Sequence, residues 1–235
     1  RFAAAGAIPQ SKAVELTSSL LEMVNQNAPP ANRSTEGNDW FRRSAGQVLA
    51  SMGNPGPGNS VAKAFETVVA DSGASPMTRC EFAQYLGQLK YPPSAKVDFS
   101  SLANSLGHMA KDICKQELES AKLANRAPSR QVVVCSLYNA GFGLKGVLAA
   151  AENSSHKEFV DNLYKRVASL HKWIDDPKFE EDTLAVELGG KVDELETALI
   201  AKPTAKLVSD QKEKATQPAD QKDGARAAVD AGAKP

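Results

Sequence analysis

The chain has 235 residues, 42% of them hydrophobic, with 28 basic side chains balanced by 28 acidic ones. That length allows a sizeable core in one large domain or two small ones, and the balanced charge argues against a nucleic-acid binder, whose affinity comes largely from neutralising phosphates. No run approaches about eighteen apolar residues, so no membrane span is expected, and a chain that starts at Arg1 reads as a processed product from which a signal peptide has gone.

Proline and glycine punctuate a series of helical patterns. Ser11 to Asn27 carries Val14, Leu16, Leu20, Met23 and Val24 on a helical period, and APPANRSTEGN ends it. Asp39 is placed to cap a second helix bearing Trp40, Phe41, Val48, Leu49 and Met52, and Gly53 stands where a C-terminal cap belongs. After the loop NPGPGN, Ser60 caps a third helix through Val61, Ala64, Phe65, Val68 and Val69, closed by Gly73. Ser75-Pro76 pairs a cap with proline at the first helical position and opens a fourth helix to about Leu89, which YPP stops. Asp98 opens the longest helix, with Phe99, Leu102, Leu106, Met109, Ile113 and Ala121 on one face and Pro128 at its end.

Ser155 to Asp175 starts with Ser-His-Lys-Glu, the pattern of a capping box, and repeats Phe159, Leu163, Val167, Leu170 and Ile174. The last helix spans about Pro177 to Ala201 with Leu184, Leu188, Val192, Leu195 and Leu199. Gly189-Gly190 interrupts it, at roughly 1 kcal/mol per glycine relative to alanine, and marks a place for a kink. The expected fold is mostly α, an irregular bundle of about seven or eight helices. Residues 1–201 form the helical part, with candidate subdivisions near 54–60 and 90–98.

One stretch resembles chemistry. RQVVVCSLYNAGFGLKGVLAAAEN contains a literal GxGxxG from Gly141 to Gly146, after a β-branched run. In a dinucleotide-binding unit such glycines let the backbone approach a pyrophosphate at a helix N-terminus. A second strand ending in an acidic residue must follow within about thirty residues, and the next segment here is instead the amphipathic helix from Ser155. The favoured reading is a helix from Ser129 whose small residues let a neighbour pack closely. A nucleotide-binding enzyme built on this motif is the alternative, with an intracellular helical scaffold or nucleoprotein beside it.

Other reactive patterns are missing. His108, His156 and His171 show no zinc spacing, and the chain has no GxSxG and no P-loop. No cofactor, metal or catalytic residue is assigned. His156 reads as part of a solvated helix start, and His108 and His171 as rim residues. Trp40 and Trp173 fall on periodic faces and read as core; either one, if exposed, becomes a candidate binding anchor. Cys80, Cys114 and Cys135 are too far apart for a CxxC motif. In a secreted protein they give one disulfide and one spare thiol, with three pairings open; in a reducing compartment they are buried free thiols. Asn32-Arg33-Ser34 and Asn153-Ser154-Ser155 are glycosylation sequons in predicted loops.

From Lys202 to Pro235 the residues are mainly Ala, Lys, Asp, Gln, Pro and Thr, with Leu207, Val208 and Val229 the only large aliphatics. Burial cannot offset the ordering entropy of such a segment, so a disordered stalk is expected. As a coil it averages roughly 30 Å end to end. Its end, Asp230-Ala231-Gly232-Ala233, has the small residues of a GPI attachment region.

This layout, with the tail TAKLVSDQKEKATQPADQKDGARAAVDAGAKP, resembles the GPI-anchored merozoite surface antigens of piroplasm (Babesia) parasites. The resemblance implies an α-helical core, display on the outer cell surface by a lipid anchor, exposure to antibodies and adhesion to the host red cell. The expected partner is a host cell-surface receptor, protein or glycan, bound by a monomeric head without catalysis and without nucleic acid.

Overall fold

The computed structural model describes residues 10–93 and 95–200. Residues 201–235 fall outside the described residues, and with them the stalk and the expected anchor region Asp230, Ala231, Gly232 and Ala233. Among the described residues there are eight α-helices, one short 3-10 turn and no strand.

The helices are α1 (Gln10–Asn25), α2 (Thr35–Met52), α3 (Ser60–Ala70), α4 (Pro76–Gln88), α5 (Phe99–Leu123), α6 (Arg130–Ala150), α7 (Lys157–Ile174) and α8 (Glu181–Ile200). The mostly α expectation holds. Several ends follow the expected local chemistry. Gly53 ends α2 in the left-handed conformation at φ 66°, which costs glycine nothing sterically. The Ser75 side chain accepts from the Thr78 amide ahead of Pro76, and that of Asp98 accepts from Ser101. Ser129 caps α6 by accepting from the Val132 amide.

Other ends differ from expectation. Ser34, not Asp39, caps α2, its hydroxyl accepting from the Gly37 amide at 3.0 Å; Asp39 lies a turn inside and faces Arg42 at 3.7 Å. Asn59 precedes α3, so Ser60 is already helical. Helix α3 stops at Ala70, and its follower Asp71 accepts from the Gly73 amide. Helix α5 ends at Leu123, before Pro128, where Asn125 turns to a positive φ of 48°. The capping box at Ser155 does not form: α7 begins at Lys157, and His156 instead accepts from the Ser100 amide at 3.1 Å. His156, partly exposed, thus joins the starts of α5 and α7. Helix α8 is continuous through Gly189-Gly190.

One continuous core runs from Leu20 to Leu199. Helix α6 lies inside, against α4, α5 and α7; α5 also meets α3 and α8, and α1–α2 packs at one side on α3 and α4. The expected faces of α3, α5, α7 and α8 are buried almost as read. Those of α1 and α2 are not. Leu20, Val24 and Leu49 are buried, whereas Val14, Leu16, Met23, Trp40, Phe41, Val48 and Met52 are exposed. Helix α2 turns a small-residue face, Ala45, Gly46 and Ala50, to the bundle instead. Small side chains allow close approach, and the bulky residues are rotated outward.

Helix α6 also has the length and composition of a membrane span, with a mean hydropathy of 1.5 over its apolar window. Counting uninterrupted apolar residues missed it because Ser136 and Asn139 break the run. Both polar residues are buried and bonded: the Ser136 hydroxyl donates to the Val133 carbonyl, and the Asn139 amide to that of Cys135. Val133, Leu137, Ala140, Leu144 and Val147 face the core, which accounts for the apolar composition.

Candidate functional site

Gly141 to Gly146 lies in the middle of α6, with helix on both sides. The β-branched Val132 to Val134 are helical as well, so no strand leads into the motif. The amides of a mid-helix segment are spent on carbonyls four residues back, which leaves no phosphate cradle of the kind found at a helix N-terminus. The glycines have a packing role. A Cβ at Gly143 would lie 2.5 Å from the Ala83 carbonyl oxygen, and one at Gly87 would lie 2.7 Å from that of Phe142. At Gly146 the α4 backbone comes closer still. Helices α4 and α6 therefore touch backbone to backbone, and they run parallel, since Ala83 meets Gly143 and Gly87 meets Gly146.

The motif's outward side builds something else. Tyr138, Gly141, Phe142 and Lys145 recur at helical spacing along α6, and Tyr164, Ala168 and His171 do so along α7. Together they line an open groove of ≈ 410 Å³. Gly141 and Ala168 keep its floor low between taller rings; the nearest atom to a Cβ at Gly141 would be Val167 Cγ1 at 3.9 Å. Tyr138 is 51% and Phe142 40% exposed. The Tyr138 and His171 rings stand 5.9 Å apart, tilted by 51°. No carboxylate, serine or cysteine lines the groove. It offers ring faces for stacking, phenol and imidazole groups for hydrogen bonds, and one ammonium for an anion. It has no nucleophile paired with a base. Groups of three or more His, Cys, Asp or Glu able to hold a metal are absent among the described residues.

A second exposed aromatic pair stands at the start of α2. Trp40 is 57% exposed and meets Phe41 edge to face at 5.1 Å, with the Arg33 guanidinium 4.1 Å from the Phe41 ring centre. Trp40 is thus not core. Trp173 is half-buried, meeting Phe179 edge to face at 4.9 Å with Lys191 over its ring, and it joins α7 to α8. His108, partly covered on α5, has its pKa lowered chiefly by burial.

The remaining sequence-predicted residues are dispersed. Asn32 and Asn153 are exposed in turns at opposite ends of the sequence order, before α2 and after α6. Cys80, Cys114 and Cys135 carry free thiols on α4, α5 and α6, three helices that pack on one another. Sequence reasoning missed Tyr138, Phe142, Lys145 and Tyr164. For Tyr138, Phe142 and Lys145 the signal was present in their i, i+4, i+7 spacing, which places them on the side of α6 away from Val133, Leu137, Ala140 and Leu144.

No family model matches the chain, and neither a curated protein nor a solved structure resembles it significantly.

Proposed function

We propose that the chain is the helical head of a surface-displayed adhesin that binds a host red-cell receptor through the α6–α7 groove, with the tail as a stalk to a lipid anchor. The observation that carries this reading is the convergence of Tyr138, Phe142, Tyr164 and His171 around Lys145 in an open groove free of acidic groups. Exposed aromatic residues grouped with a cation are the usual anchors of recognition surfaces, and a groove of some hundreds of Å³ accepts a side chain or a sugar. The groove's makeup supports binding rather than turnover. Positive charge beside ring faces favours an acidic ligand, such as a sugar carboxylate or an acidic peptide side chain.

The test is binding of the purified chain to intact erythrocytes, followed by flow cytometry. Saturable binding is expected, with the Tyr138→Ala/Phe142→Ala double variant weakened about tenfold or more, since truncated anchors cost roughly 1–2 kcal/mol each. Sialidase-treated and protease-treated cells then separate a glycan receptor from a protein one. Absence of binding by the wild-type chain, or equal binding by a folded double variant, overturns the reading.

A further inference from the structure

We propose that His156 is a pH-driven switch at the joint between α5 and α7: its Nδ1 accepts from the Ser100 amide when the ring is neutral and donates to the Asp98 carboxylate when the ring is protonated. The geometry fixes the first state. The Ser100 backbone N–H lies with its nitrogen 3.1 Å from Nδ1, and a backbone amide can only donate. Nδ1 therefore holds a lone pair, and the proton of the neutral imidazole sits on Nε2. Ser100 stands in the first turn of α5, where an amide has no helical carbonyl four residues back. The residue is buried, and the imidazole supplies the acceptor.

The second state is laid out beside the first. Asp98 Oδ1 lies 3.3 Å from the same Nδ1. With the ring neutral, these are two acceptors facing each other. Oδ1 is held there by the Ser100 hydroxyl, which donates to it at 2.6 Å, and by the Ser101 amide at 3.0 Å. A proton taken up from water at Nδ1 removes the acceptor that the Ser100 amide uses. It also turns the Asp98 contact into a charge-assisted hydrogen bond. The backbone of His156 is anchored on both sides, its amide donating to the Ser154 hydroxyl at 3.2 Å and its carbonyl accepting from the Val160 amide at 3.0 Å. The exchange of partners therefore takes place at a fixed point.

The other charged and titratable groups around the joint are engaged elsewhere or exposed. Glu66 of α3 accepts from the Ser101 and Ser105 hydroxyls. The Tyr91 hydroxyl, ahead of α5, donates to the Leu86 carbonyl. Lys157, next to His156 in the chain, is paired with Glu152, and Lys96 and Glu158 are exposed. Asp98 is the carboxylate within ion-pair reach of Nδ1. The two helix starts are thus joined by a neutral hydrogen bond on one side of the titration and by an ion pair on the other.

The experiment is an NMR titration of the full chain from about pH 8 to about pH 5.5, the range in which imidazole is the side chain that changes charge. Ring nitrogen shifts show which nitrogen carries the proton, and the Ser100 and Ser101 amides report the two bonds. Expected are a neutral His156 ring protonated on Nε2 alone and a Ser100 amide that shifts on acidification with the same midpoint as the ring. The Ser101 amide should move less, because its bond to Asp98 is kept. His156→Gln should abolish the Ser100 movement while the rest of the spectrum stays folded. Asp98→Asn retains a capping side chain and should move the ring's midpoint to lower pH, since an uncharged amide no longer favours the cation. A neutral ring protonated on Nδ1 overturns the proposal. So does a Ser100 amide that stays still while the ring titrates, one that still moves in His156→Gln, or an unchanged midpoint in Asp98→Asn. These readouts are local to the joint and do not depend on red-cell binding.

Discussion

Glu117 illustrates what a single side chain does here. It is buried near the end of α5 and accepts two hydrogen bonds, each 2.6 Å, from the Arg126 guanidinium and from the Ser129 amide. It thereby closes the turn between α5 and α6 and puts negative charge at the N-terminus of α6, where the helix dipole favours it. The Arg126 hydrogen bond, helped by that of Ser129, holds its pKa below the usual 4.5. A carboxylate whose pKa falls on folding stabilises the native state above its unfolded pKa, and that contribution is lost as pH drops through the folded value. Thermal unfolding followed by circular dichroism should therefore show Tm falling on acidification below about pH 4.5, with a shallower slope in Glu117→Gln. An identical slope in the variant would remove Glu117 from this role. Arg42 and Arg79 act in a related way. The first donates to the Val24 carbonyl at 3.0 Å and the second to that of Val69 at 2.9 Å. Each satisfies the carbonyl end of a neighbouring helix from within the core. Nothing local in the sequence reveals which helix end will lie beside them.

At the scale of elements, the α4–α6 contact governs the bundle. It requires glycine at positions 143 and 146, because the opposing atoms are backbone and cannot rotate away. Gly146→Val should lower stability by about 3 kcal/mol, at the upper end of overpacking costs, measured by urea unfolding. Gly189 is the contrast: nothing lies within 4 Å of a Cβ there, so Gly189→Ala in mid-helix should raise stability by up to about 1 kcal/mol. Equal effects at the two sites would show that the close approach is unimportant. Helix propensity alone treats these glycines alike. Only the position of α4 separates them.

For the whole molecule, two exposed aromatic groups stand on the bundle, one on α6–α7 and one at the start of α2. If the proposed anchor is correct, the protein on its native cell should be released by a phosphatidylinositol-specific phospholipase, detected by immunoblot of the supernatant. Retention on the cells would count against the anchor while leaving the groove's binding open to its own test.

The amphipathic periods of α3, α5, α7 and α8 were legible in the sequence, as were the cap at Ser75, the helix starts at Asp98 and Ser129 and the Gly53 stop. These rest on interactions within one turn, where spacing fixes which groups meet. The outward face of α2, the joining role of His156 and the groove at Tyr138 were decided by tertiary structure. Each depends on residues far apart in the chain, and the small side chains of α2, α4 and α6 choose among several equally apolar faces by how closely two backbones can approach.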